Sequence, residues 1–452
     1  MLPNHHARRL RNSRPAYDII GGIPLIGCVT ASGSKNAALP ILATALLAEG
    51  PLELGRVPRL VDVRTMSGVL KALGVAVQWI EPDRVLATVV DPARYTAPAS
   101  LVARMRASFC TLGPLLARRG RAVVPLPGGC RIGQRPVDMH LRGLAALGAE
   151  LSVREGFVYA SAKRLRGAAI DLRGPRGSTV TGTANVLSAA TLARGTTVIS
   201  NAAREPEIVA LGQCLRTMGA DIEGLGTTRI VVRGVRDLDG PSFTLPPDRI
   251  ETTTLLLAGA ITGGDVAVQA TDPSQLRAVL DLLDSAGAEL VTDGDSVRVV
   301  VNRRLRAVSA CATPYPGLPT DVQAQWTALM LLAAGRSTIV DQVFPERFGH
   351  VHHLQRFGAR LSCRGPACKV DGVSMIQGAR TTATDLRASA ALVLAGLAAQ
   401  GKSRVRRIDH LDRGYERFES KLSTLGAQIR RVELPARTPG ATASLPDDLA
   451  VA

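Results

Sequence analysis

Apolar and polar residues along the 452-residue chain follow one arrangement that recurs six times. In each copy an apolar run with helical spacing ends in Gly followed by Ala or Val, as in LKALGV and LAALGA. These glycines, 68 to 74 residues apart, are Gly74, Gly148, Gly219, Gly287, Gly358 and Gly426. Glycine adopts the left-handed conformation that ends many helices without steric cost, so each glycine is predicted to follow a helix.

A second series of glycines keeps step with the first and also follows apolar runs. Its members are Gly50, Gly120, Gly195, Gly263, Gly335 and Gly401. Stretches with β-branched or alternating apolar residues, such as 197–199 and 288–291, come after the glycines and predict strands. Each unit is therefore predicted to contain helix, strand, helix and strand, with further short strands. The apolar runs 38–48 and 388–399 are apolar on nearly all sides and predict buried helices.

The length of the unit bears on the architecture. Solenoid repeats are usually about 20 to 50 residues long, whereas these units span about 70. Six such units fit two globular domains of three units each better than a solenoid. The midpoint of the chain falls near Pro246 and Pro247, and the proline pair is suited to a hinge.

Neither terminus nor interior contains an apolar run of the roughly 20 residues that a membrane helix needs. Residues 1–17 carry four arginines without a following apolar segment, so we interpret them as a short, disordered basic extension and not a signal peptide. The net charge of +17 is spread along the chain, and aromatic residues make up only 3%. This pattern favours a cleft for a polyanionic small molecule over nucleic-acid binding.

Seven cysteines, odd in number and widely scattered, indicate reduced thiols and a cytoplasmic protein. Cys363 and Cys368 are close in sequence, but one C-x4-C without a second pair or a nearby histidine does not predict a metal site.

The segment PLPGGCRIGQRPVD, residues 125–138, is rich in proline and glycine and predicts a loop. Within it Cys130 follows two glycines and is followed by Arg131 and Arg135, cations that favour the thiolate. A buried, inert cysteine is the commoner case, but the composition of the loop favours a reactive thiol. The chain has neither a GxGxxG after a strand nor a GxxxxGK[ST], which argues against a dehydrogenase or a nucleotide hydrolase.

Seven segments, in order, resemble the UDP-N-acetylglucosamine 1-carboxyvinyltransferases, a family of enolpyruvyl transferases. They are SGSKNAALP from Ser32, PLPGGCRIGQRPVD from Pro125, AAREPEIV from Ala202, LPPDRIETTT from Leu245, PTDVQAQ from Pro319, ATDLRASA from Ala383 and DRGYER from Asp412. The resemblance runs from about Gly22 to about Glu433. It implies an α/β fold of two inverse α/β barrels (α/β prisms) built from six βαβαββ units. One domain would be residues 35–245, and residues 18–34 would join 246–452 in the other.

The same resemblance implies transfer of the enolpyruvyl group of phosphoenolpyruvate to the 3-hydroxyl of UDP-N-acetylglucosamine, the first committed step of peptidoglycan synthesis. Cys130 would protonate the methylene carbon and Asp321 would accept the hydroxyl proton. Lys35, Arg135 and Arg413 would gather the phosphate. Further substrate contacts implied by the match are Asn36, Arg106, Pro136, Val137, Asp138, Met139, Gly177, Val180, Val343, Arg347 and Arg387. No cofactor, metal, nucleic acid or membrane partner is implied, and the oligomeric state is not indicated.

Plainer roles exist for several of these residues. Lys35 could be an ordinary surface lysine, Asp321 could cap the apolar helix that follows it, and Arg387 could form a surface ion pair with Asp385.

Three positions depart from the family pattern. Gly177 stands where the family usually has a lysine that contacts the nucleotide, although Arg176 is adjacent, and Gln134 and Gly349 also differ. These changes keep open a different uridine acceptor such as UMP. The related 5-enolpyruvylshikimate-3-phosphate synthases lack the GGC loop. A catalytically inactive nucleotide-binding paralogue would be expected to have lost Lys35, Cys130, Asp321 or Arg413, yet all four are present.

Overall fold

The computed structural model describes residues 14–128 and 136–435. Within them, thirteen α-helices run over Lys35–Ala43 (α1), Val61–Ala72 (α2), Ala99–Val102 (α3), Leu112–Arg119 (α4), Asp138–Ala146 (α5), Val180–Ala190 (α6), Pro206–Thr217 (α7), Arg249–Ile261 (α8), Arg277–Ala286 (α9), Gln323–Met330 (α10), Val351–Gln355 (α11), Leu386–Ala398 (α12) and Phe418–Thr424 (α13). Short 3-10 helices cover Thr44–Leu46, Arg106–Thr111, Pro273–Leu276 and Ile408–Arg413. None of the helices in this part of the chain is long and apolar enough to cross a membrane.

The same residues contain 25 strands. They are Arg14–Gly21 (β1), Ile26–Thr30 (β2), Leu52–Gly55 (β3), Val75–Glu81 (β4), Arg84–Val89 (β5), Arg121–Pro125 (β6), Glu150–Arg154 (β7), Phe157–Ser161 (β8), Ala169–Asp171 (β9), Arg173–Gly174 (β10), Gly177–Ser178 (β11), Thr196–Ser200 (β12), Asp221–Glu223 (β13), Arg229–Arg233 (β14), Ser242–Thr244 (β15), Asp265–Gln269 (β16), Glu289–Asp293 (β17), Ser296–Val300 (β18), Ala310–Ala312 (β19), Arg336–Asp341 (β20), Arg360–Arg364 (β21), Ala367–Asp371 (β22), Arg380–Thr382 (β23), Gly401–Arg406 (β24) and Gln428–Leu434 (β25).

Across the described ranges these strands form five four-stranded sheets, one three-stranded sheet and a small hairpin, β10–β11. The four-stranded sheets are mixed: in one of them β12 pairs antiparallel with β14 and parallel with β9. In another, β20 pairs antiparallel with β22 and parallel with β19. The predicted α/β class is therefore confirmed as a fold with mixed sheets.

The glycines of the first series follow helices as predicted, whereas Gly195 and Gly335 directly precede strands and Gly401 begins one. All six of the first series have positive φ, from 79° at Gly74 to 107° at Gly219. Five of the second series do as well. Gly50 is the exception. Its carbonyl oxygen lies so close to Gly240 that a Cβ atom added at Gly240 would be only 2.4 Å from that oxygen. The helices predicted to be buried, α1 and α12, are buried along almost their whole length.

Buried apolar side chains form two separate cores. One core takes its residues from 37–245, and we call this part of the chain the first lobe. The other takes its residues from 17–31 and 250–427, and we call this part the second lobe. The chain thus begins in the second lobe, builds the first and returns.

The two passages between the lobes run side by side. Ser34 N donates to Pro246 O at 2.8 Å, and Asp248 N donates to Ser32 O at 2.8 Å. Gly33 faces Pro247 in an antiparallel bridge, and a Cβ at Gly33 would overlap the carbonyl oxygen of Arg56. The proline pair predicted as a hinge therefore lies in a hydrogen-bonded double connection.

The structure corrects two boundaries. The backbone of Arg14 already belongs to β1, which pairs with β24 and β25, so the last four residues of the expected extension lie in a strand. At the cysteine loop, Pro125 ends β6 and Asp138 begins α5.

Candidate active site

A cavity of about 610 Å³ lies between the two lobes and takes lining residues from both. Thirteen of the predicted site residues line it. These are Lys35, Asn36, Arg106, Pro136, Asp138, Met139, Gly177, Val180, Asp321, Val343, Arg347, Arg387 and Arg413. Residues far apart in sequence thus meet at one cleft.

Three of the predicted site residues, Cys130, Arg135 and Val137, are not part of this lining. Cys130, Arg135 and the variable position Gln134 lie outside the described residues. Val137 is described but is not among the lining residues, and its half-buried side chain packs against the core of the first lobe. An apolar residue just before a helix is readily drawn to the core, which explains this difference.

One group of charges brings Lys35 and Arg413 together on a single carboxylate. Ser34 caps α1, so Lys35 is its first residue, and Arg413 ends a 3-10 helix of the second lobe. Asp62 is in the first turn of α2, and its Oδ2 atom lies 2.9 Å from Lys35 Nζ. Its Oδ1 accepts from Arg413 Nε at 2.9 Å. The cluster therefore spans the two lobes.

The Asp62 side chain is only 3% exposed. Burial acts to raise its pKa, but the charges of Lys35 and Arg413 outweigh burial and hold the pKa below the usual value. Asp62 is therefore ionised and neutralises part of the positive charge at this end of the cleft. This role could not be predicted from the sequence, because an aspartate in the first turn of a helix is common.

A second group of charges surrounds Asp321. Its Oδ1 accepts from Arg347 Nη1 at 2.8 Å, and its Oδ2 accepts from Arg387 Nη2 at 2.9 Å. Asn36 Nδ2, from the first lobe, lies 3.4 Å from the same Oδ2. Both guanidinium groups are buried, whereas the Asp321 side chain is 27% exposed toward the cleft.

Burial again acts to raise the pKa of Asp321, and the two guanidinium charges overcome it and bring the pKa well below its usual range. A carboxylate held in this way is a weak proton acceptor. It gains basicity only if one or both arginines turn toward another anion.

A buried aspartate fixes the backbone around this group. Asp341 accepts from the backbone N–H groups of Val343 at 3.0 Å and Phe344 at 2.7 Å. Its other oxygen accepts from Thr320 Oγ1 at 2.6 Å. Asp341 therefore positions both Val343 and the residue that precedes Asp321.

The opposite part of the cleft is formed by the hairpin β10–β11. Gly177, in this hairpin, has φ of +98°, and a Cβ there would lie 3.1 Å from Pro314 Cγ of the second lobe. Val180 begins α6 directly after the hairpin. Arg106 Nη2 donates to the carbonyl oxygen of Pro136 at 3.0 Å. The departure at Gly177 thus coincides with a close approach of the two lobes.

Sequence reasoning missed a third charged group in the cleft wall. Arg249 donates through Nε and Nη2 to the two carboxylate oxygens of Glu207, at 2.9 and 3.2 Å. Glu205, which precedes α7, lines the same cavity. Both glutamates belong to the AAREPEIV segment, but acids beside a proline at a helix start ordinarily indicate only the start of the helix.

Taken together, the cleft can bind a small molecule with more than one negative charge. Lysine and arginine side chains from both lobes converge on it, and their present counterions are carboxylates that an anionic ligand could replace. Over the described ranges, no group of three or more His, Cys, Asp or Glu is arranged to hold a metal ion. These features define the class of protein as a two-lobed α/β enzyme with an interlobe site for an anionic substrate.

Comparisons with known proteins agree with this class. The family described as EPSP synthase (3-phosphoshikimate 1-carboxyvinyltransferase) matches residues 20–422. The chain belongs to this family of enolpyruvyl transferases and is an enzyme of the carboxyvinyl transferase type, which confirms the resemblance drawn from the seven segments.

Individual relatives are similar over most of their length. The chain is 48% identical, over 92% of its own length and 98% of theirs, to proteins named UDP-N-acetylglucosamine 1-carboxyvinyltransferase from Halorhodospira halophila and from Dichelobacter nodosus. Among solved structures it is similar to the enolpyruvyl transferase NikO from Streptomyces tendae, with a TM-score of 0.84 and 28% identity over 94% of this chain and all of that one.

Proposed function

We propose that this enzyme transfers the enolpyruvyl group of phosphoenolpyruvate to the 3-hydroxyl of UDP-N-acetylglucosamine and releases phosphate. The observation that carries the proposal is the convergence of Lys35 and Arg413, from different lobes, on Asp62 beside the paired Asp321. The relatives at 48% identity support the acceptor. In this proposal, the phosphate and the carboxylate of the substrate take the places of the resident carboxylates.

Binding of phosphoenolpyruvate would redistribute the charges of the cleft. Its phosphate competes with Asp62 for Lys35 and Arg413, with Arg135 of the cysteine loop added to the same group. Its carboxylate competes with Asp321 for Arg347 and Arg387. Arginine suits both exchanges because its planar fork donates to two oxygens at once.

The chemistry follows from this exchange. Once its arginines turn to the substrate, Asp321 becomes basic enough to take the proton of the 3-hydroxyl. Cys130 gives a proton to the methylene carbon of phosphoenolpyruvate, and the hydroxyl oxygen bonds to the neighbouring carbon. The tetrahedral intermediate then loses phosphate and a proton of the new methyl group, which restores the double bond.

We further propose that each lobe is one inverse α/β barrel (α/β prism) of three βαβαββ units, with residues 35–245 in one domain and the N-terminal strands joined to 246–452 in the other. The two cores and the doubled connection support this division. Closure of the lobes around the substrates would exclude water from the reaction. We place the reaction in peptidoglycan synthesis, as the family resemblance implies, and in the cytoplasm, which the six free thiols of the described ranges support.

The test is phosphate release from phosphoenolpyruvate with UDP-N-acetylglucosamine, UMP and shikimate 3-phosphate as parallel acceptors. We expect turnover with UDP-N-acetylglucosamine. Turnover with UMP alone would favour the second candidate function, transfer to a different uridine nucleotide. The departure from the family pattern at Gly177 keeps this candidate open. Turnover with shikimate 3-phosphate alone would overturn the proposal.

A further inference from the structure

One carboxyl group in the cleft wall lacks the partners that the other charged groups have. Glu205 Oε2 is inaccessible to solvent and has no hydrogen-bond partner within the described ranges. Its Oε1 makes one long contact, accepting from the backbone N–H of Tyr315 at 3.4 Å. A buried polar atom without a partner costs free energy, so this oxygen needs a ligand.

The charged neighbours of Glu205 are already engaged. Arg249 forms a bidentate salt bridge with Glu207, which follows Glu205 by two residues in the chain. Arg204 donates from Nη2 to the carbonyl oxygen of Tyr315 at 2.9 Å. Neither guanidinium donates a hydrogen bond to Glu205 within the described part of the chain.

The protonation state of Glu205 follows from these surroundings. Burial has the largest effect and raises the pKa of its carboxyl, and the nearby charge of Glu207 raises it further. Hydrogen bonds from the backbone N–H groups of Glu205 itself and of Tyr315, and the charge of Arg249, act in the opposite direction without overcoming burial. A raised pKa favours the neutral form of the carboxyl, whose O–H group is a hydrogen-bond donor.

The position of Glu205 relates it to the acceptor end of the cleft. Tyr315, which contacts Glu205, belongs to the same loop as Pro314, which packs against Gly177 in the β10–β11 hairpin. The cations proposed for phosphoenolpyruvate instead gather at Asp62 and Asp321.

We propose that Glu205 binds the acceptor by donating a hydrogen bond from its carboxyl O–H to an oxygen atom of the nucleotide sugar. This inference rests on the proposed function and adds to it a residue that recognises the acceptor. It also accounts for the unpartnered Oε2 atom of Glu205. The free energy that its burial costs in the free enzyme would be recovered when the acceptor binds.

Glu205→Gln and Glu205→Leu make a matched pair for the test. The amide of glutamine keeps a neutral donor of nearly the same shape, whereas leucine keeps only the volume. In steady-state kinetics with UDP-N-acetylglucosamine and phosphoenolpyruvate, we expect Glu205→Leu to raise the KM of the acceptor about tenfold, the effect of one hydrogen bond to a neutral group. The KM of phosphoenolpyruvate should change by less than about twofold, and Glu205→Gln should stay near the wild type.

A pH series separates this role from simple packing. Over the pH range in which the wild-type carboxyl loses its proton, the donor disappears and the acceptor KM rises. The acceptor KM of Glu205→Gln should show no such rise, because an amide does not titrate in this range. If Glu205→Leu does not fold, as judged by its thermal unfolding, this profile still decides the question.

The possible failures are distinguishable. An active wild type whose acceptor KM is unchanged in Glu205→Leu, or a pH-dependent rise that persists in Glu205→Gln, overturns the inference alone. A wild type that transfers to no uridine nucleotide overturns the proposed function, and the inference falls with it.

Discussion

Arg413 Nε lies 2.9 Å from Asp62 Oδ1, and this ion pair joins the second lobe to the first. The two residues are 351 positions apart in sequence. Asp62 also holds Lys35, so one buried carboxylate is the shared counterion of two cations from opposite sides of the cleft. A substrate phosphate that takes its place would keep the two lobes linked through the same cations.

Asp62→Asn should therefore destabilise the free enzyme. Removing one partner of a buried ion pair leaves unpaired charge and costs about 3 kcal/mol in the free energy of unfolding. Inorganic phosphate should restore part of this loss in the variant, because it supplies the missing negative charge. Urea unfolding with and without phosphate measures both effects. Asp281→Asn, which removes an exposed ion pair with Arg277, is the control and should change stability by less than about 1 kcal/mol.

Asp321 should make the stability depend on pH in acid. Its pKa is lowered by folding, so its contribution is present above the unfolded value of about 3.9 and is lost as pH falls through the folded value. The difference in unfolding free energy between the wild type and Asp321→Asn should be constant from pH 7 to 5 and should shrink in more acidic solution. A difference that grows on acidification would contradict the ion-pair assignment. The same substitution should abolish enolpyruvyl transfer.

Cys130 should be the thiol that the epoxide fosfomycin alkylates. Burial raises the pKa of Cys110 and of Cys214 to about 12, so these two thiols stay protonated and unreactive near neutral pH. Intact-mass analysis should show one adduct, which is absent from Cys130→Asp. Cys363→Ser, a change at an exposed cysteine, should still give the adduct. An adduct on Cys311 or Cys363 would count against Cys130.

Restoring the lysine that the family usually has at Gly177 should not improve the enzyme. A side chain at φ of +98° is strained by about 1 to 2 kcal/mol, and its Cβ would also press on Pro314. We expect Gly177→Lys and Gly177→Ala to lose similar thermal stability, and we expect Gly177→Lys to leave the acceptor KM no lower than in the wild type. A lysine variant as stable as the wild type would show that the hairpin adapts.

Local features of this fold could be predicted from the sequence. The glycines after each helix and the buried helices α1 and α12 depend on nearby residues, and their patterns are regular. Lys35 and Asp321 could be named because they lie in distinctive segments. The structure places both in the cleft, while their catalytic roles remain predictions.

Features set by distant contacts could not be predicted. Asp62 and Glu205 are ordinary acids near helix starts until residues of the other lobe reach them, and only the folded chain supplies those neighbours. The half-buried side chain of Val137 packs against the core of the first lobe, and its role in substrate binding stays a prediction. Gly50 lacks the expected positive φ, and it lies beside Gly240, a neighbour from the far end of the first lobe.

The return of the chain to the second lobe has a consequence for synthesis on the ribosome. β1 is made first, yet it pairs with β24 and β25, and Asp18 and its partner Arg404 are 386 residues apart. At about 5 to 20 residues per second, β1 waits about 20 to 80 seconds for its neighbours. The first lobe can fold during that interval, so nascent chains should acquire protease resistance in residues 37–245 before the strands that precede them are protected.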